Sequence, residues 1–125
     1  MRWLILMVLA CLLLSGCGKS KAHTQKTEPY YEAVAKIAAD IDAKAKRPQL
    51  LADIEEAKVA EETWNKQIGG TRKFASDNEL TAALTAFDAY VADMNKPEAK
   101  DMAAQFLQEG RDHLAEARKA LDGGN

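Results

Sequence analysis

An all-α fold, an antiparallel up-down-up-down four-helix bundle, is predicted by three features of this chain. Alanine supplies much of the apolar share of a sequence that is 47% hydrophobic, and alanine is the strongest helix former. Apolar residues recur at three- and four-residue spacing in four separate stretches. Proline and glycine fall between those stretches, so the stripes end at short connections and neighbouring helices must reverse direction to bury them. The 125 residues suit a single domain, which takes about 100–200 residues. A charged fraction of 29% with three Pro and seven Gly is globular rather than disordered.

The first helix is expected from about Glu28 to Ala45, with Thr27 as its cap and Pro29 in its first turn. Its stripe is Tyr30, Val34, Ile37, Ile41 and Ala45, and it stops where Arg47 precedes Pro48, because a residue before proline avoids the helical region. The second helix, about 48–68, carries Leu50, Ile54, Ala57, Trp64 and Ile68 and ends at Gly69-Gly70. Ser76-Asp77-Asn78-Glu79 has the pattern of a capping box, followed by Leu80, Leu84, Phe87, Val91 and Met94 on one face. Lys96-Pro97 breaks that helix and starts a fourth, about 97–122, with Ala103, Phe106, Gly110, Leu114, Ala117 and Leu121 on one side and Gly123-Gly124 behind it. The helical domain is thus residues 28–125. An alternative reads the Pro48 junction as a kink in one long helix, giving a three-helix arrangement with a kinked long hairpin.

Residues ahead of the domain read as a processing signal. Arg2 precedes twelve apolar residues, Trp3 to Leu14, which is signal-peptide length and short of the about 20 that a spanning helix needs. The next residues, Leu14-Ser15-Gly16-Cys17, resemble the lipobox of bacterial lipoproteins. The resemblance implies removal of residues 1–16, a diacylated thiol on Cys17 and an acylated new amino terminus. It also implies sorting to the outer membrane, facing the periplasm, where the host has two membranes, since Gly18 is not the retention aspartate of enteric bacteria. A disulfide between Cys11 and Cys17 would close a tiny loop inside a membrane segment, and a buried thiol would require the segment to stay unprocessed. Residues 17–27 are then the lipidated cysteine and a flexible basic tether with Lys19, Lys21 and Lys26. Ten residues of tether span at most ~35 Å extended and on the order of 17 Å as a coil.

The charge balance bounds the partners. Residues 28–125 hold 13 basic and 19 acidic side chains, a net charge of −6, which argues against nucleic acid. With Cys17 acylated and Cys11 discarded, thiol chemistry is out of reach. No phosphate loop, nucleophile elbow, zinc motif or haem-attachment motif is present, so the domain is expected to be non-enzymatic and without a cofactor. Haem held between a methionine and a histidine on different helices fails because the first helix lacks a methionine, Met94 and Met102 lying at the third junction.

Three groups of residues nevertheless stand out. Glu109, His113 and Glu116 share one helix face and are a candidate ligand or metal site, or a histidine flanked by ordinary i,i+4 neighbours. Glu61 interrupts an apolar stripe beside Trp64, and Gly110 interrupts another. The three could line a pocket, or Gly110 could simply admit a bulky side chain from a facing helix. Tyr31 and Phe74 lie off the main stripes and are candidate partner contacts, Phe74 equally a staple near Leu80. The expected function is a membrane-anchored lipoprotein whose helical domain is a non-catalytic interaction, assembly or accessory module in the cell envelope, with membrane lipid bound through Cys17 and an envelope protein as partner. The alternative is a small-ligand or metal-binding bundle.

Overall fold

The computed structural model describes residues 18–68 and 74–123, with side chains from Thr27 to Gln67 and from Phe74 to Gly123. The lipobox with Cys17 and the Gly69-Gly70 stop lie outside the described residues. Four helices follow in order: α1 (Gly18–Asp42), α2 (Arg47–Ile68), α3 (Ala75–Asp93) and, after a single 3-10 turn at Pro97–Ala99, α4 (Lys100–Asp122). No strand occurs among the described residues.

Side-chain pairs fix the directions. Tyr30 bonds Glu61 while Lys36 bonds Glu56, so α2 returns along α1. Arg47 reaches Val91 and Lys58 reaches Asp88, so α3 reverses α2. Glu79 meets His113 while Phe87 meets Gly110, so α4 reverses α3. Thr27 with Asp77 and Tyr30 with Thr81 then place α1 and α3 parallel, as the touching diagonal of an antiparallel four-helix bundle.

The apolar stripes meet at the centre. Tyr30, Val34 and Ile37 of α1, Leu50, Ile54, Ala57 and Trp64 of α2, and Leu80, Leu84, Phe87 and Val91 of α3 are all buried. From α4 come Ala103, Ala117 and Leu121, which are mostly small, while Phe106 and Leu114 stay half-buried. Alanine on this helix lets α3 and α4 approach closely, and Gly110 goes one step further. A Cβ placed on Gly110 would sit 2.6 Å from Cε1 and 2.7 Å from Cδ1 of Phe87. The gap in the α4 stripe is therefore the seat of the Phe87 ring.

The first junction is a turn rather than a kink. Ala45 N–H donates to Asp40 O at 2.9 Å and Lys44 N–H to Ile41 O at 3.0 Å, the paired bonds of a Schellman cap. Lys44 takes the left-handed position at φ 59°, where glycine is the usual occupant because a Cβ is crowded there. Four helices result, in place of the three-helix alternative. Arg47 then donates Nε–H to Val91 O at 3.1 Å, so a cation covers the carbonyl end of α3, where the helix dipole favours it.

Three helix starts differ from expectation, α4 because its expected first residues, Pro97–Ala99, form the 3-10 turn that precedes Lys100. Helix α1 begins at Gly18 instead of Glu28, so the segment read as a flexible tether has helical backbone and Pro29 lies inside the helix. Lys, Ala and Gln in that segment are good helix formers, and a helix polar on all sides carries no apolar period for a pattern reading to detect. Thr27 is consequently not a cap: it is fully buried and its hydroxyl bonds Asp77 Oδ1 at 3.4 Å. Helix α3 starts two residues early, with Phe74 at the N-cap. Asp77, not Glu79, reaches back, its Oδ2 accepting the Phe74 N–H at 2.8 Å. Asp77 gives a negative charge to the first turn, which the helix N-terminus favours.

Replacing Gly110 with alanine tests the α3–α4 seat. Alanine gains about 1 kcal/mol in helix propensity, but overpacking a core costs about 1–3 kcal/mol, and the ring it meets is fully buried. Gly110→Ala is therefore expected to lower the urea midpoint; an unchanged or raised midpoint would show that Phe87 has room to move.

Candidate functional site

The side chains singled out in the sequence separate into an interior junction and an outer groove. Tyr30 forms the junction. Its ring is fully buried and lies 5.6 Å from that of Trp64 with the planes tilted by 36°. Its hydroxyl donates to Glu61 Oε2 at 2.8 Å and sits 3.2 Å from Thr81 Oγ1. Burial pushes the Tyr30 hydroxyl well above its ordinary pKa, so it stays a donor.

Glu61 and Trp64 are thus brought together, but not around a pocket. Glu61 is the acceptor for Tyr30, Trp64 is 2% exposed against the Tyr30 ring, and Gly110 holds Phe87. The expected space is filled because an aromatic side chain from α1 and another from α3 occupy the two ends that sequence alone leaves open.

Glu109, His113 and Glu116 do share the outer side of α4, yet each has a different partner. His113 Nδ1 lies 2.6 Å from Glu79 Oε2 of α3, Glu109 accepts from Gln105 Nε2 at 3.1 Å, and Glu116 pairs with Lys119 at 3.2 Å. Among the described residues no group of three or more His, Cys, Asp and Glu side chains is arranged to hold a metal ion. The i,i+4 spacing correctly placed the three on one face but carried no information about Glu79, 34 positions away.

His113 and Glu109 instead border a groove of about 270 Å³ between α3 and α4. Its α3 wall is Ala82, Thr85, Ala86 and Ala89, and its α4 wall is Phe106, Glu109 and His113. A shallower depression of about 500 Å³ lies along α1 at Glu32, Ala35, Lys36 and Ala39.

The expected partner contacts have local roles. Tyr31 is half-buried beneath the Arg118 guanidinium, 4.6 Å from the ring centroid, an attractive cation–π arrangement. Arg118 also bonds Glu28 with both terminal nitrogens, at 2.9 and 3.3 Å, and Asp122 at 3.0 Å through Nε. This fork joins α1 to the last turn of α4, and its carboxylate partners hold the guanidinium above its usual pKa. Phe74 is half-buried at the start of α3.

One buried acid escaped the sequence reading. Asp53 has no exposed side-chain surface; Oδ1 accepts from Gln49 Nε2 at 3.0 Å and lies 3.6 Å from Lys36 Nζ. Among the described residues Oδ2 has no hydrogen-bond donor, and the Asp40 carboxyl of α1 is near enough to act on Asp53. Burial first and Asp40 second raise the Asp53 pKa, with Gln49 and Lys36 opposing. The residue was hidden because an aspartate at the flank of a stripe looks like any surface acid. Against family models, curated proteins and solved structures, the chain finds no match.

The Asp53 environment has a signed consequence. A carboxyl with a raised folded-state pKa contributes most stability below the unfolded value, about 3.9, and loses it as pH rises through the folded value. Asn at position 53 keeps the acceptor for Gln49 and supplies a donor toward Asp40. Asp53→Asn is therefore expected to exceed the wild type at pH 8 by on the order of 1 kcal/mol and to converge on it near pH 4. Urea unfolding at both values decides it, and a less stable variant at pH 8 would mean that the Lys36 contact outweighs the buried charge.

Proposed function

We infer that this chain is a lipoprotein anchored to a membrane face through acylated Cys17, whose helical bundle serves as an interaction or assembly module for another envelope protein. The observation that carries the reading is Leu14-Ser15-Gly16-Cys17 directly after the apolar run Trp3 to Leu14. No helix among the described residues is long and apolar enough to cross a membrane. Each buried methylene of an acyl chain contributes about 0.8 kcal/mol, and two or more chains hold firmly where one does not. Attachment is then permanent, in the outer membrane facing the periplasm where two membranes exist.

Helix α1 supports an orientation. It starts at Gly18, next to the attachment point, and nine helical residues to Lys26 rise ~13 Å at about 1.5 Å each. The bundle end holding Thr27, Trp64, Asp77 and Leu121 would face the bilayer, and the turns at Lys44 and Pro97 would lie farthest from it. The bundle's polar interior supports an interaction role on the outside: Tyr30, Glu61 and Thr81 are committed to one another.

Mass spectrometry of protein extracted from membranes is the test of the anchor. An N-terminal peptide beginning at Cys17 and heavier by a diacylglyceryl group is expected, with Cys17→Ser found in the soluble fraction; an unmodified Cys17 in an intact chain would overturn the assignment. For the module reading, chemical cross-linking in intact envelopes should give an adduct with a different protein, and an adduct with itself alone would contradict it.

A further inference from the structure

Helix α1 carries a charge step along its axis. Residues 18–27 hold Lys19, Lys21 and Lys26 and no acid, whereas residues 28–125 carry a net charge of −6. Because the backbone is helical from Gly18, the three cationic positions keep fixed heights instead of roaming on a coil. At about 1.5 Å per residue, positions 19, 21 and 26 rise ~2, ~5 and ~12 Å beyond Gly18. At about 100° per residue, positions 19 and 26 fall on one side of the axis and position 21 on the other. The segment therefore has no single cationic face on which to lie flat, and its charges ring an upright axis.

The adjoining end of the bundle does not cancel that step. Glu28 and Asp122 are held by Arg118, Glu116 by Lys119 and Glu62 by Lys66, while Asp77 is fully buried and accepts the Phe74 N–H. An anionic bilayer attracts lysines near its surface and repels acids, within about a Debye length, ~8 Å at physiological ionic strength. Positions 19 and 21 lie inside that distance of Gly18 and position 26 at its edge, so the neck is drawn in while the acidic body is held off. The pattern suits a charged surface and not a single small anion. Positions 19 and 21 diverge around the helix, and position 26 stands ~10 Å beyond position 19.

We propose that the α1 neck, Gly18 to Lys26, binds the anionic phospholipid headgroups of the leaflet that holds the anchor, through Lys19, Lys21 and Lys26, and so stands the bundle upright. The assignment rests on the acylated Cys17 reading, which brings the neck to the bilayer. Acyl chains supply the attachment, and the neck adds a choice of lipid charge. Glutamine at the three positions removes the charge, keeps a good helix former in each place and leaves the bundle's own residues untouched.

The test uses the lipidated mature chain, extracted from membranes and reconstituted into vesicles of mixed phosphatidylcholine and phosphatidylglycerol. Trp64 is the only tryptophan left once residues 1–16 are removed, so energy transfer from it to a trace of pyrene-acyl lipid reports which lipid gathers beneath the bundle. Transfer should be about twofold or more stronger to pyrene-phosphatidylglycerol than to pyrene-phosphatidylcholine. It should become equal at high salt and in the triple variant Lys19→Gln, Lys21→Gln, Lys26→Gln. Lys44→Gln with Lys46→Gln, at the far turn, should leave the preference intact. Equal transfer to both lipids in the wild type, a preference that survives the triple variant, or one lost in the far-turn variant would each overturn the proposal. Flotation separates the two readings: protein that floats with the vesicles but shows no lipid preference keeps the anchor and loses the neck assignment, whereas protein that fails to float contradicts the anchor itself.

Discussion

The rest of the bundle depends on the hydroxyl of Tyr30. A phenol carried into an apolar interior must keep its hydrogen bonds or lose several kcal/mol to desolvation, and this one keeps them on two other helices, at Glu61 and Thr81. Bonds this directional fix register as well as proximity. With position 30 level with 61 and 81, the stripes of α1, α2 and α3 fall opposite one another, and Trp64 packs on the same ring. Helix α4 is added by other means: Arg118 clasps Glu28 on one side, and Gly110 accepts Phe87 on the other.

Much of this architecture was legible. Tyr30, Val34, Leu50, Ile54, Trp64, Leu80, Phe87 and Val91 were placed in the core by spacing alone, and all are buried. Periodicity works here because each helix has one buried stripe and a proline or glycine near its end. Gly110 was legible as an anomaly with two explanations, and Phe87 decides for the plainer one.

What escaped has a common cause. The Tyr30–Glu61 and His113–Glu79 pairs join residues 31 and 34 positions apart, and no local pattern encodes a partner that distant. Glu79 looked like half of a capping box because its spacing from Ser76 is right; in the fold it meets His113, and Asp77 covers Phe74. The helical start at Gly18 escaped for the opposite reason, since polar residues with good propensity leave no apolar signature. A carboxylate in an apolar stripe, Glu61, suggested a site; it turned out to be the acceptor that lets a tyrosine be buried. The polar interior thus serves folding.

Tyr30→Phe tests that central claim most directly, because it removes one oxygen and leaves the ring beside Trp64 in place. Urea unfolding is expected to show a loss of about 1.5–3 kcal/mol, the range for a hydrogen bond to a charged group, with an unchanged denaturant slope. A loss below about 0.5 kcal/mol, within the range of ordinary surface substitutions, would contradict the account and return Glu61 to the surface, free for another role.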